Sequence, residues 1–343
     1  MIRLFQYYRI VAAYLILLIH QQFWAMPPAL GRLTGVAVPL FAAMSGFLFA
    51  KSIQGGFVLR VVLSKKLRRI LIPYVIWAVV YWIANSVILD GFVRHGSISL
   101  PEIRSWILGG TARHLWFLPS LFFAFVLISL GRATINLIDE NTEIPNAQLP
   151  VGIFSHSYIH TLSPSTRAAR STRLKALAFD GVIFVFAGLS QFIPDSTSAT
   201  FAGWVKIYLG RLVFYFVLGS LLSQIFACGK TGMCVGLGLT LIGCVNMMLN
   251  CIQGLVWSPL LLVIGLLLIA IAKPDIILPK CIGNMAEASM GIYLVHVLFT
   301  SGASFALQKT GNSPLPAVMG TVLSVVLFVT SYLMVRLLPK KCF

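Results

Sequence analysis

The chain has 343 residues, of which 58% are hydrophobic and only 10% are charged, and its mean hydropathy is +0.91. A water-soluble domain needs roughly 25% charged residues to cover its surface, so this composition excludes a soluble globular enzyme, a disordered chain and a fibrous protein. In a soluble protein the formal net charge of +17 would suggest a nucleic-acid partner. In a membrane protein the same charge is explained by cationic loops that fix the orientation of the chain, so no nucleic acid is expected.

Ten apolar stretches are long enough to cross a bilayer, which takes about 20 residues of α-helix. They cover residues 10–26, 33–50, 71–89, 114–131, 175–193, 205–226, 232–250, 256–272, 284–304 and 316–337. The sequence therefore predicts an all-α polytopic membrane protein, a bundle of about ten transmembrane helices. We expect one domain over residues 1–343, without a soluble domain.

Basic residues predict how these spans are oriented. If both termini are cytoplasmic, most of the 26 Lys and Arg residues fall on the cytoplasmic side, as the positive-inside rule requires. The longest loop, 132–174, then lies in the cytoplasm. It contains His156 and His160 at positions i and i+4, but a loop rich in Ser and Pro is a poor frame for metal ligands, and no metal is expected.

The first span carries Arg9 near its start and His20 midway along an apolar run. Eleven residues turn an α-helix through about three full circles, so both side chains share one face, with a rise of about 16 Å between them. An ionisable group inside a span is costly and indicates function by default, although a His that bonds to a neighbouring helix is the alternative. In the second span, Ser45 beside Gly46 is a candidate nucleophile if His20 is adjacent, but simple packing also explains it.

A run of basic residues, KKLRR, at positions 65–69 precedes the third span. Lys65, Arg68 and Arg69 are spaced i, i+3 and i+4, which places them on one face of a helix. Arg side chains suit phosphate oxygens because their planar forks bind two oxygens at once. The same run also fits an orientation signal that contacts anionic lipid.

Two later spans carry polar groups. The fourth opens with His114 and Trp116, which are ordinary side chains at a membrane interface. The ninth carries Ser289, Tyr293 and His296 at i, i+4 and i+7, a single stripe. Such a stripe usually faces the interior of a bundle, where it serves function or simple interhelical hydrogen bonding.

Taken in order, these features resemble the acyltransferase 3 family of membrane-bound O-acyltransferases, and the resemblance covers most of the chain. It rests on Arg9 and His20 with their eleven-residue gap, on VPLFAAMSGFL at 38–48, on the basic run followed by ILIPY at 70–74, on HLWFL at 114–118, and on GIYLVH at 291–296.

The resemblance implies an enzyme of the bacterial inner membrane. It would transfer acetyl from cytoplasmic acetyl-CoA, the acyl donor, to a sugar hydroxyl on the far side of the membrane, with a surface polysaccharide such as O-antigen or a lipid-linked sugar as acceptor. Because the sequence ends just after the tenth span, we expect a stand-alone member without the SGNH-type hydrolase domain that some relatives carry.

We assign roles to the site residues on this basis. The catalytic candidates are His20 and Arg9. His20 is expected to act as general base on the acceptor hydroxyl, which attacks the acetyl carbonyl directly, and Arg9 lies beside the path of the donor. The donor-binding candidates are Lys65, Arg68, Arg69 and Ser45. The acceptor-binding candidates are His114, Trp116, Tyr293 and His296. The sequence leaves open whether His20 or His296 is the base.

Two other functions are compatible with these residues. A transporter or flippase of lipid-linked sugars would use the same inward-facing His and Arg side chains to bind its substrate, although the chain lacks the paired half-repeats that many transporters show. A transferase that first forms a covalent acetyl-enzyme on His20 or Ser45 would belong to the same family but follow a two-step route.

Overall fold

The computed structural model describes residues 2–53, 58–84, 113–142, 164–189, 210–225, 230–249, 258–274, 276–277, 279–311 and 314–339. Within these residues the chain is helical, apart from an isolated bridge between Trp24 and Leu315. The helices are α1 (Leu4–His20), α2 (Pro28–Thr34), α3 (Ala37–Ile53), α4 (Leu59–Lys66), α5 (Ile72–Ala84), α6 (Phe117–Thr142), α7 (Pro164–Leu189), α8 (Arg211–Ile225), α9 (Lys230–Leu249), α10 (Ser258–Ala272), α11 (Lys280–Glu287), α12 (Ser289–Lys309) and α13 (Ala317–Leu337). A π-helical segment, Leu67–Leu71, joins α4 to α5, and a 3₁₀ turn, Arg113–Trp116, leads into α6.

Six helical stretches of the described chain are long and apolar enough to cross a membrane. They are Pro28–Ile53, Leu59–Ala84, His114–Ile135, Lys230–Leu249, Ser289–Lys309 and Ala317–Leu337, with shorter apolar helices at Leu4–His20, Arg211–Gln224 and Ser258–Ala272. Each of the ten predicted spans overlaps a helix. The all-α, multi-pass membrane architecture is therefore confirmed, whereas the number of ten crossings, the cytoplasmic termini and the single domain stay predictions.

Helix α1 is central to the part of the bundle that holds the site. It packs against α3, α11 and α12, and it buries an apolar face that includes Phe5, Ala12, Ile16 and Leu17. The side chains of Arg9 and His20 on this helix are half-buried. The predicted functional face of α1 thus lies partly within the bundle.

Helices α3 and α8 approach each other so closely that only glycine fits at two positions. A Cβ atom at Gly46 would lie 1.8 Å from the carbonyl oxygen of Phe216, and one at Gly219 would lie 1.8 Å from the carbonyl oxygen of Ala43. Because lipid tails are as apolar as the side chains, helices in a bilayer associate through such close packing. The contact fixes α3, and with it Ser45, as one wall of the site.

A buried ion pair joins α6, α7 and α8. Arg132 donates to Asp180 Oδ2 at 2.5 Å, and the same oxygen accepts hydrogen bonds from Ser220 Oγ at 2.6 Å and from Gln224 Nε2 at 2.7 Å. Asp180 is 0% exposed. Three donors on one carboxylate oxygen compensate a charge that would otherwise be very costly inside the bundle.

Candidate active site

A cavity of about 800 Å³ opens between α1, α3, the α4–α5 junction, α6 and the start of α12. Four cationic side chains line it, Arg9, Lys66, Arg68 and Arg69, against one carboxylate, Glu287. The rest of the lining consists of Phe41, Ser45, Ile70, Ile72, Phe117, Leu121, Phe125, Ala286, Ser289, Met290 and Tyr293. This volume lies within the range of roughly 300–1,000 Å³ of small-molecule sites, and the excess positive charge favours an anionic ligand. We refer to it as the basic cavity.

The basic side chains near the π-helical segment are shared between two cavities. The sequence predicts a regular helix with Lys65, Arg68 and Arg69 on one face, but the chain leaves α geometry at Leu67. Arg68 lines the basic cavity, Lys65 lines a smaller adjoining cavity of about 360 Å³, and Arg69 lines both. A π-helical turn inside an α-helix is frequently found at functional sites.

Lys66 lies between these two cavities and lines both. Its ammonium group is 3.9 Å from the ring centre of Phe125 and 5.7 Å from that of Phe49. A cation over an aromatic face is attracted by the ring quadrupole, and more strongly where water is excluded. The two rings therefore hold the ammonium group in the wall of the basic cavity.

Three imidazole rings meet at the end of α1. The ring centres of His20 and His114 are 5.6 Å apart, those of His20 and His296 are 5.4 Å apart, and those of His114 and His296 are 5.4 Å apart. His114 is 2% exposed and His296 is 0% exposed. We call these three residues the imidazole cluster. The structure thus brings two predicted acceptor-binding residues into contact with the predicted base.

The cluster contains a ring nitrogen without a partner. Nδ1 of His296 lies 3.2 Å from the carbonyl oxygen of Ile292. Among the residues that the structure describes, none makes a hydrogen bond to Nε2 of His296. Buried polar atoms in proteins are nearly always hydrogen-bonded, so such exceptions call for an explanation.

Tyr293 connects the basic cavity with the imidazole cluster. Its ring lines the cavity, and its ring centre is 5.6 Å from that of His114 and 6.0 Å from that of His296. Its hydroxyl donates a hydrogen bond to the backbone carbonyl oxygen of His114. Of the described residues that line the cavity, none belongs to the cluster, so Tyr293 stands between the two.

Tyr81 on α5 supports the cluster from another side. Its ring centre is 4.8 Å from that of His114, and its hydroxyl donates to the carbonyl oxygen of Leu294 at 2.6 Å. The sequence reasoning missed this residue. A usable signal was present, because Tyr74, Trp77 and Tyr81 follow at i, i+3 and i+7 and form a buried aromatic stripe.

Glu287 is a second residue that the sequence reasoning missed. A continuous helix over 284–304 would direct Glu287 away from His296, since nine residues correspond to about 180°. The chain instead ends α11 at Glu287 and begins α12 at Ser289. This break allows Glu287 to line the basic cavity together with Ser289 and Tyr293.

The remaining predicted residues have the following positions. Ser45 lines the basic cavity, as Arg9 does, and is not a member of the imidazole cluster. Trp116 is half-buried on the 3₁₀ turn, with its ring centre 6.3 Å from that of Phe117.

His156 and His160 lie outside the described residues. In the described ranges, no group of three or more His, Cys, Asp and Glu side chains is arranged to hold a metal ion.

Comparison with known proteins gives one match. A family model described as an acyltransferase domain matches residues 4–335. No curated protein and no solved structure matches the chain. The matched range includes every residue of the basic cavity and of the imidazole cluster. The chain belongs to the acyltransferase 3 family, and it is a multi-pass membrane acyltransferase.

Proposed function

We propose that this acyltransferase transfers acetyl from cytoplasmic acetyl-CoA to a sugar hydroxyl of a bacterial surface polysaccharide, such as O-antigen, or of its lipid-linked precursor. The observation that carries the proposal is the contact, through Tyr293, between a cavity lined by four cations and a cluster of three imidazoles. The basic cavity can hold a polyanionic acyl donor, and the imidazole cluster can accept a proton. Acyl transfer from a thioester to an alcohol uses a donor site and a proton acceptor.

The excess of positive charge in the basic cavity supports an anionic donor. The diphosphate and 3′-phosphate of CoA would lie on Arg68 and Arg69, with Lys65 and Lys66 at the adjoining small cavity. The pantetheine arm would extend past Arg9 and Ser45 towards Tyr293. If the termini are cytoplasmic, as the basic loops predict, this path begins at the cytoplasmic face.

His20 would act as the general base. Its ring nitrogen accepts the proton of the sugar hydroxyl while the hydroxyl oxygen attacks the acetyl carbonyl carbon. The tetrahedral intermediate collapses with cleavage of the carbon–sulfur bond, and the CoA thiolate takes up a proton to leave as the thiol. The products are the O-acetylated sugar and free CoA, and no covalent acetyl-enzyme is formed.

The acceptor would approach from the side opposite the donor. His20 ends α1, about 16 Å along the helix from Arg9, and it is the least buried member of the imidazole cluster. A sugar on the far side of the inner membrane would therefore meet His20 first, with His114, Trp116 and His296 close to the reacting hydroxyl. Besides the donor and the acceptor, the lipid bilayer is the third proposed partner of the protein.

The test is transfer of radiolabelled acetyl from acetyl-CoA to polysaccharide by purified protein in lipid nanodiscs. We expect the wild type to transfer label and His20→Ala, inserted at normal level, to lose transfer by at least about 100-fold. A His20→Ala variant with wild-type rate would contradict the assigned base. Protein that moves unmodified lipid-linked sugar and transfers no acetyl would instead be a flippase.

Two further measurements address the donor site and the route. Arg69→Ala should raise the KM for acetyl-CoA while Arg336→Ala, an exposed cation outside the cavity, should not. An unchanged KM in Arg69→Ala would favour an orientation signal at the basic run. Labelled protein isolated after incubation with acetyl-CoA alone would indicate a covalent acetyl-enzyme and exclude direct transfer.

A further inference from the structure

We propose that His296 receives the proton that His20 removes from the acceptor hydroxyl, so that the two imidazoles work as one unit. This inference rests on the proposed function, because it presupposes that His20 is the base. His296 acts through His20 and is therefore a positioning and proton-sharing residue. Its assignment follows from its hydrogen bonding and from what surrounds it.

The contact with Ile292 determines which nitrogen of neutral His296 carries the hydrogen. A backbone carbonyl oxygen only accepts hydrogen bonds, so Nδ1, 3.2 Å from Ile292 O, must be the donor. Nε2 of neutral His296 then carries a lone pair and no hydrogen. In the described part of the chain this nitrogen has no partner, and the residue is fully buried.

The position of His20 makes it the natural source of a proton for that lone pair. Two imidazoles that share an N–H···N hydrogen bond have ring centres roughly 5 Å apart, given a donor–acceptor distance of about 2.9 Å. The ring centres of His20 and His296 are 5.4 Å apart. Catalytic hydrogen bonds are often longer without substrate than in the reacting complex, so the pair is placed to close this gap.

The neighbouring hydroxyl groups do not compete for the same nitrogen. The Tyr293 hydroxyl donates to the carbonyl oxygen of His114, and the Tyr81 hydroxyl donates to that of Leu294. Both hydrogens are thereby committed to the backbone. His114 is the other ring next to His296, with the two ring centres 5.4 Å apart, and it enters the experiment as a separate arm.

The proton balance of the step is simple. When the hydroxyl oxygen bonds to the acetyl carbon, its proton moves to the lone-pair nitrogen of His20, and the hydrogen on the other nitrogen of the His20 ring passes to Nε2 of His296. Positive charge is then spread over two rings. When the carbon–sulfur bond breaks, one proton returns through His20 to the CoA thiolate, and both imidazoles are neutral again.

The test uses His296→Asn. The Asn amide nitrogen occupies the place of Nδ1, so it preserves the hydrogen bond to Ile292 O and removes only the acceptor at Nε2. We expect kcat to fall by about 100-fold or more with the KM for acetyl-CoA within twofold of the wild type and an unchanged midpoint of thermal unfolding. A purely structural role predicts the opposite, near-normal kcat.

Double variants show whether the rings act together. If they form one unit, His20→Ala with His296→Asn is no slower than His20→Ala alone. The inference would be overturned if the two losses of kcat multiply in the double variant. It would also be overturned if the kcat of His296→Asn stays within threefold of the wild type. The inference would also be overturned if the loss in His20→Ala with His114→Gln were non-additive while the loss in His20→Ala with His296→Asn were additive.

Two outcomes separate this inference from the proposed function. An active His20→Ala variant contradicts the base itself, whereas an inactive His20→Ala with an active His296→Asn contradicts only the role of His296.

If His296→Asn does not fold, His296→Gly is assayed with added imidazole in its place. A rate that rises with imidazole supports the inference, and a rate that does not rise overturns it.

Discussion

The hydroxyl group of Tyr293 is hydrogen-bonded to the backbone carbonyl oxygen of His114. One side chain thus lines the basic cavity and also fixes the residue at the opposite edge of the imidazole cluster. In the proposed reaction the acetyl group passes from the cavity to His20, so this bond would lie on its path. The first prediction concerns this bond.

Tyr293→Phe keeps the ring and removes the hydrogen bond, which is worth about 0.5–1.5 kcal/mol. We expect kcat to fall several-fold with an unchanged KM for acetyl-CoA. Tyr293→Ala removes the barrier between cavity and cluster, so that water reaches the thioester. Release of free CoA without acceptor, followed with a thiol reagent, should increase in the Ala variant and not in the Phe variant. Equal release by both would show that the ring is not the barrier.

Lys66 is expected to hold the donor through its fixed ammonium group. Lys66→Met removes the charge and keeps a side chain over Phe125. We expect the KM for acetyl-CoA to rise by about tenfold, because the loss of one charged hydrogen bond costs about 1.5 kcal/mol. Lys66→Arg should have a smaller effect. The control is Lys309→Met, since Lys309 also lies over an aromatic ring, 4.6 Å from the centre of Phe305, but outside the cavity. A similar KM change in that control would contradict the assignment.

The Arg132–Asp180 pair should matter for stability in an asymmetric way. Asp180→Ala leaves a buried cation without its partner and should cost about 3–5 kcal/mol. Replacement of both residues, Arg132→Met with Asp180→Leu, should cost much less, because no charge is left buried. Thermal unfolding in detergent, followed by tryptophan fluorescence, measures both. A double variant as unstable as the single one would show that the pair is a net source of stability.

The contact between α3 and α8 predicts a large effect of a single methyl group. Gly219→Ala places a Cβ atom against the backbone of Ala43, which cannot move aside as a side chain would. We expect a loss of about 3 kcal/mol or more, since overpacking alone costs about 1–3 kcal/mol. Gly238→Ala is the matched control, because a Cβ there meets nothing within 4 Å, and it should leave the unfolding midpoint unchanged or raise it.

Much of the fold followed from hydropathy, because the bilayer demands long apolar helices and each predicted span overlaps one. The shared face of Arg9 and His20 was also predictable, because α1 is a regular helix and its periodicity holds over eleven residues. The sequence also indicated a polar stripe at Tyr293 and His296, and both are buried in the bundle.

Two parts of the site were beyond periodicity arguments. The π-helical segment at Leu67–Leu71 and the break at Ala288 interrupt the regular helices. In this region Lys65 lies outside the basic cavity and Glu287 lines it. The meeting of His20, His114 and His296 depends on how distant helices pack. No spacing within one helix carries that information.

The buried carboxylate of Asp180 has a consequence for biosynthesis. An aspartate inside an apolar helix makes that helix partition poorly into lipid on its own. Arg132 precedes Asp180 in the chain by 48 positions, so the ribosome delivers the cation first, and Ser220 and Gln224 arrive later. We therefore expect α7 to integrate more efficiently when α6 is already inserted and can pair with it.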